Sequence, residues 1–514
     1  MSVLSISCSR KLVQLLLFAV VLAGCAVQAD EESNTYVVGE EVYVYGNKIR
    51  PLRSPFEVYD FFSVPGCPPL SWVQKSPSFG RMLLGDRMYR MNMKLQFELN
   101  TTNEVMCTFT PTEAHLKRWR KMIKRNFVYQ LVVDDLPASF MFGATQSGNP
   151  AVYTHYSLRL GVNSNRIVSV AVESRGPEPV EVGRVYTFTY GVQFIPSNIP
   201  FNERLNSYLG ERLLNLRFRW VSIANSFLIN LFLIAAVAII LLRTQRGLLQ
   251  PADSELSTLE GGDGIIEGTG WKQLAADVHR VPHRAELFCA LLGTGAQLCC
   301  VASLTIFATV VNGIRQRSIH GVVTLMLAFY LLTGLVAGFV SATQLMRYSA
   351  LNPSLLSNWF RCMQVTLVFF PTFIVLCGFF TNVVARIYHS SRAVHLGGLT
   401  FVMFLLFLVY CPAVTIGSLL GRYFYRRSLI LLNTENHYWQ WMSFWFGASS
   451  GIYMYLYAIY FYFFRSISSG FFTLVFFFAY STVASLAVGL IGGFVAFLSS
   501  LVFVKKVYAA VKTE

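Results

Sequence analysis

The chain has 514 residues, 54% of them hydrophobic and 13% charged, with a formal net charge of +15. Its apolar residues gather after Val221 in runs of about twenty, enough at 1.5 Å per residue to cross roughly 30 Å of hydrocarbon, so a single water-soluble domain is excluded. The positive charge is scattered beside those runs and no RNA- or DNA-binding motif accompanies it, which excludes nucleic acid and leaves membrane lipid headgroups as its partners.

Residues 1–29 read as a secretory signal peptide, with a basic start at Arg10 and Lys11, an apolar stretch from Leu12 to Leu22, and a small-residue exit ending at Ala29. Leu22-Ala23-Gly24-Cys25 also fits a bacterial lipoprotein box, but a lipid anchor would be redundant ahead of several spanning helices. Cleavage after Ala29 would put the next segment in a lumen.

Residues 30–219 carry a period of two. Apolar and polar side chains alternate through Lys94–Leu99, at Val168, Val170 and Val172, and at Tyr186, Phe188 and Tyr190, as in strands with one buried face. Gly46-Asn47 after Val42–Tyr45 reads as a hairpin turn. Strands this short and this frequent predict a lumenal antiparallel β-sandwich-like domain, with one helix near Thr112–Lys124 exposing Lys117, Arg118, Arg120 and Lys121. Cys67 and Cys107 are the two thiols of this segment, the others lying in the signal or in membrane runs, and an oxidising lumen predicts a disulfide between them. Asn100-Thr101-Thr102 is a glycosylation sequon. Catalysis is not indicated: His115 and His155 stand alone, HExxH and G-x-S-x-G are missing, and Asp134-Asp135 reads as a solvated loop or strand end. No cofactor is implied.

Residues 220–510 form a polytopic α-helical membrane domain, giving an α+β membrane protein. Candidate spans are 221–242, 286–311, 320–341, 361–384, 398–420, 441–464 and 471–509, with a cytosolic loop at 243–285 and a cytosolic tail at 511–514. The last run is too long for one perpendicular crossing. It either begins along the interface or turns back near Gly489, Gly492 and Gly493. Seven crossings would deliver the tail to the cytosol, in keeping with Lys505, Lys506 and Lys512. From Leu287 onward the acidic side chains are Glu435 and Glu514, so the spans lack the buried carboxylates that ion-coupled transporters and intramembrane aspartyl proteases use. Asn225, Asn230, Gln297 and Asn382 are expected to hydrogen-bond between helices. Gly334 and Gly338 have GxxxG spacing, suited to packing within the bundle or to docking a foreign helix. His389 and His395 flank one lumenal loop, and two histidines alone fall short of a metal site.

Several stretches together resemble the nonaspanins, the nine-transmembrane superfamily of Golgi and endosomal membranes. They are SPFEVYDFFSVPGCPP, LLGDRM, VDDLPA, GWKQLAADVHRVP, LLGTGAQL, TENHYWQWMSFWFGASSGIYMYLYAIYFYF and the closing FVKKVYAAVKTE. Gly270, Trp271, Lys272, Asp277, Arg280 and Pro282 match a family signature whose task has no evident physical account. The chain departs from the family where Arg426-Arg427 runs almost directly into Ser428-Leu429-Ile430, since relatives usually carry two more spans there. The resemblance implies that Lys512 and Glu514 form a Lys-x-Glu signal for the COPI coat, and that the protein sorts transmembrane cargo in Golgi and endosomal membranes without being an enzyme. A transporter or channel for an uncharged or lipid-like substrate and a seven-helix receptor are the alternatives.

Overall fold

A computed structural model describes residues 35–72, 85–146, 148–201, 204, 216–249, 281–311, 319–349, 353–394, 396–424, 439–466, 468 and 470–510. The signal peptide, Gly270, Trp271, Lys272, Asp277, Arg280, His395, Lys512 and Glu514 lie outside them.

The front domain is built from β1 (Glu41–Val42), β2 (Val44–Pro51), β3 (Tyr59–Asp60), β4 (Tyr89–Arg90), β5 (Leu95–Gln96), β6 (Thr101–Phe109), helix α1 (Glu113–Lys124), β7 (Phe127–Val133), β8 (Leu136–Met141), β9 (Gly143–Gln146), β10 (Asn149–Asn163), β11 (Arg166–Pro179) and β12 (Tyr186–Pro196). One sheet has the order β3-β2-β7-β8 with β4 also on β2, and the other runs β11-β10-β12-β6 with β9 on β10. Pairing is antiparallel except between β10 and β12, which run parallel. The alternation has its expected effect: Tyr186, Phe188 and Tyr190 are buried, as are Met93, Leu95 and Phe97, while Lys94, Gln96 and Glu98 face solvent. Trp119 of α1, fully buried, closes one end of this core and donates its indole N–H to the Pro65 carbonyl at 2.9 Å. Lys117, Arg118, Arg120 and Lys121 of α1 are exposed as expected, and so is Lys124.

Two local expectations need correction. Gly46-Asn47 is no hairpin turn: β2 runs straight through it, and the register against β7 shifts between Gly46 and Lys48. This is a bulge. Gly46 is there because a Cβ would meet the Phe61 ring at 2.9 Å, and Asn47 turns its amide onto Asp86 at 3.2 Å. Asp134-Asp135 is the two-residue loop of the β7–β8 hairpin, with φ of 48° and 62°. Asp134 is not solvated, because the turn points it inward, where it accepts from Arg204 Nη1 at 3.0 Å and from the Tyr36 hydroxyl at 3.3 Å.

The second half comprises α2 (Leu216–Leu249), α3 (Ala285–Val311), α4 (Ile319–Leu332), α5 (Gly334–Ser349), α6 (Trp359–Ile387), α7 (Leu396–Leu405), a π-helical turn (Leu406–Tyr410), α8 (Cys411–Phe424), α9 (Trp439–Tyr460) with a second π turn (Phe461–Arg465), and α10 (Phe471–Ala510). Helices α4 and α5 form one broken rod, as do α7 and α8. Among the described residues, five bodies are long and apolar enough to cross a bilayer: Ala285–Thr309, Val322–Ser349, Trp359–Ile387, Gly397–Phe424 and Phe471–Val504. Ala224–Ile240 is a shorter apolar stretch. The last segment adopts neither arrangement expected for it. It is one continuous helix of 40 residues, about 60 Å at 1.5 Å per residue. Its first turns are spent against the front domain, and its glycines serve close packing rather than reversal.

Helices in lipid gain little from hydrophobicity and associate where small residues let backbones approach. A Cβ on Gly338 would collide with the Val414 carbonyl, and one on Gly417 with the Leu335 carbonyl, so α5 and α8 interlock reciprocally. Gly334 lies against the Tyr410 ring. The GxxxG pair is thus consumed inside the bundle. A second seam joins Gly447 and Gly451 of α9 to Gly492, Gly489 and the Ser485 carbonyl of α10. Helix α3 joins the two seams, with Gly293 against α5 and Gly295 against the Leu490 carbonyl.

Gly338→Leu is expected to destabilise the bundle by about 1–3 kcal/mol or more through overpacking, whereas Gly378→Leu, at an α6 position with nothing within 4 Å of a new Cβ, should leave the detergent melting temperature unchanged. Asp134→Ala strips the buried Arg204 of a carboxylate and should cost the front domain about 3–5 kcal/mol, read as faster limited proteolysis of that domain.

Candidate functional site

Three constellations stand out, two at the ends of the bundle and one within it. At one end the front domain sits on the membrane helices. Ser391 N–H and the Ser390 hydroxyl both donate to the Val58 carbonyl, at 3.0 and 2.5 Å. Arg392 lays its guanidinium over Phe56 and Phe476, 5.3 and 5.9 Å from the ring centres. Its Nε is buried without a partner among the described residues, and loss of water pulls its pKa down. Phe472 and Phe476 of α10 pack with Val384 and Ala385 of α6, and Phe56 and Ala393 close over them. The Arg392 loop is anchored from below, since Val394 N–H donates to Asn382 Oδ1 at 2.9 Å. Asn382 therefore ties a helix to a loop rather than helix to helix. His389 in this loop is exposed, with φ of 50°.

Inside the bundle, Gln297 is fully buried and does join helices. Its Nε2 donates to the Tyr330 carbonyl at 2.8 Å, and its Oε1 accepts from the Tyr410 hydroxyl at 3.3 Å. Tyr330 and Tyr410 stack at 5.3 Å. Tyr330 sits just before the α4–α5 break and Tyr410 in the first π turn. Two backbone irregularities thus meet at one amide, which answers polar groups that hydrocarbon would leave unsatisfied. Asn225 and Asn230 on α2 are exposed.

At the opposite end of the bundle from the front domain, Trp441 donates its indole N–H to the His283 carbonyl at 2.7 Å. Phe288 packs against Trp441 and Phe497 at 4.9 and 5.1 Å. Asn358 donates to Glu286 at 2.7 Å, Tyr348 hydrogen-bonds to Gln440, and Arg422 covers Trp359 at 4.8 Å. Pro282 is buried beside this cluster, so the end of the GWKQLAADVHRVP stretch meets the YWQW stretch. Neither Glu286 nor Trp441 is singled out by periodicity. The quoted stretches contain Trp441, but only the fold shows what it touches.

In the front domain Cys67 and Cys107 are joined as a disulfide with Cα atoms 5.7 Å apart. Asn100 is exposed, and its Oδ1 accepts from Phe194 N–H at 2.7 Å. His115 Nδ1 accepts from the Thr112 N–H at the α1 start, and His155 shares a hydrogen bond with Thr189 at 2.9 Å, so both histidines have structural tasks. Among the described residues no group of three metal-binding side chains occurs.

Comparison with known proteins gives these features a family. The endomembrane protein 70 model matches residues 58–429 and 427–472. The two pieces meet where Arg427 runs into Ser428, the site of the expected gap. Transmembrane 9 superfamily member 2 of Arabidopsis thaliana is 26% identical over 597 aligned residues, covering 97% of this chain and 99% of the relative. Transmembrane 9 superfamily member 1 of Mus musculus is 26% identical over 572, covering 93% and 94%. Both alignments are longer than the 514 residues of this chain, so these relatives carry residues that it lacks. No solved structure matches. The match spans both the β domain and the helices, and the chain belongs to the endomembrane protein 70 family, the nonaspanins of the transmembrane 9 superfamily.

Proposed function

We propose that this membrane protein sorts or localises other membrane proteins within the Golgi–endosome system, without catalysis, and is held there by Lys512 and Glu514 acting as a signal for the COPI coat. The observation that carries the reading is the course of α10. Its Phe472 end packs beside the front domain, and it continues unbroken to Ala510, four residues short of Glu514. A rod of about 60 Å separates the β domain from the tail by more than a bilayer's hydrocarbon. With the β domain in the lumen, the tail then faces cytoplasmic coats. Cargo contact falls to helix faces left bare by the seams, such as that of Phe446, Tyr453 and Tyr457 on α9, all exposed. Single substitutions there act on partner helices and not on the chain's own fold.

A second reading, passage of an uncharged or lipid-like substrate, draws on Gln297 at the α4–α5 break, because interrupted helices meeting at a polar group line the paths of many transporters. Under the sorting reading, reconstituted vesicles show no flux that depends on the protein. A flux abolished by Gln297→Leu would replace sorting with transport.

Adding one alanine after Glu514 should shift the steady-state distribution from Golgi membranes to the cell surface or lysosome, scored by microscopy; unaltered Golgi residence would remove the signal from the reading. Peptide N-glycosidase should increase the gel mobility of the wild-type protein but not of Asn100→Gln, since Asn100 is exposed at the head of β6. A glycan there fixes the lumenal side of the β domain.

A further inference from the structure

The front domain encloses a cavity of about 50 Å³ between its sheets, under the Val64–Cys67 turn. Its walls are aromatic and thioether: Phe61, Met91, Met93, Met106 and Phe188 among them. Two tyrosines belong to the lining, and the Tyr156 hydroxyl donates to the Tyr153 carbonyl at 3.1 Å. Tyr129 is 7% exposed, lines the cavity, and its hydroxyl has no hydrogen-bond partner among the described residues. Burial, with Tyr156 nearby, pushes its phenol up, so it stays a neutral donor. With no partner inside the described protein, that hydroxyl can bond a group that enters the cavity.

The mouth has its own signature. Phe62 lines the cavity and meets Trp72 and Tyr89 edge-on, at 6.0 and 5.9 Å, and Trp72 is 69% exposed. A Trp-Tyr-Phe cluster beside an apolar hollow, with Trp72 exposed and Phe62 and Tyr89 half-buried, has the composition of protein–protein hot spots. Methionine walls adapt to side chains of differing shape. Size narrows the occupant further. A water needs roughly 10–15 Å³ in this measure, so the cavity takes about three to five water-sized groups. That suits the branched end of a leucine or isoleucine. It falls far short of the roughly 300–1,000 Å³ of sites for lipid-sized molecules. The same segment continues from the mouth into the bundle junction, because Phe56 and Val58 lie just ahead of Phe61.

We propose that this cavity is an anchor site for one apolar side chain of a partner protein's lumenal segment, with the Tyr129 hydroxyl hydrogen-bonding the partner's backbone carbonyl. The proposal deepens the sorting reading and rests on it only for the identity of the partner.

The test uses the full chain in phosphatidylcholine nanodiscs and a short Gly/Ser peptide bearing one diazirine analogue of leucine. Irradiation should attach the peptide to cavity walls, mapped by mass spectrometry to residues such as Met93 and Met106. An ordinary leucine peptide should compete, and its aspartate counterpart should not. Val64→Trp, which fills the mouth, should lower labelling severalfold. Tyr129→Phe keeps the ring and the packing, and should weaken competition by about 2–12-fold, the worth of one hydrogen bond. Labelling absent from the cavity, or indifferent to both substitutions, overturns the proposal. So does stronger labelling of the same residues by a diazirine fatty acid. The tail-extension experiment tests sorting separately, so either idea can fail while the other stands.

Discussion

The membrane half depends on backbone contact. Lipid tails are as apolar as leucine, so these helices cannot be held together by escaping from water. What remains is van der Waals contact at short range, and that contact requires the absence of side chains. Gly338 against Val414 and Gly417 against Leu335 satisfy it on one side of α3, and Gly447 against Gly492 on the other. Helix α3 contributes Gly293 to the first seam and Gly295 to the second, two residues apart and on different faces. The polar contacts are arranged around this frame: Gln297 lies one turn beyond Gly293, where the seams leave an irregular backbone to be answered.

Among the described residues, one short segment with several tasks does much to join the two halves of the protein, beside the contact of Gly85 with Arg392. Between Ser54 and Cys67 the chain supplies Phe56 and Val58 to the bundle, Phe61 to the β core, the Pro65 carbonyl to Trp119, and Cys67 to the disulfide with Cys107. Each is a different kind of interaction, and together they leave the segment little freedom. The family model begins its match at Val58, inside this segment.

Sequence periodicity revealed the architecture because it reports burial. Alternation at Lys94–Leu99 and at Tyr186–Tyr190 located strand faces, and the apolar runs located helices. It failed where one residue's conformation is set by a distant neighbour. Gly46 reads as a turn residue, but it is required by the Phe61 ring. Asp134 reads as solvated, but Arg204, seventy positions away in sequence, draws it inward. The length of α10 was visible and its cause was not, since nothing local says that Phe472 and Phe476 will meet Phe56. At the other end, the meeting of His283 and Trp441 joins residues 158 apart, beyond any local pattern.

The π turn at Leu406–Tyr410 has an effect on everything that follows it. An extra residue in one turn rotates the rest of a helix by about 100° relative to ordinary winding. Residues counted by threes and fours from Leu396 therefore end on another side of the rod beyond Cys411. Val414, Gly417 and Gly421 look toward α5 because of that offset. An insertion or deletion of one residue here would preserve composition, hydropathy and span, yet would turn the zipper away from its mate, so the phase of the helix is as much a part of the fold as its glycines.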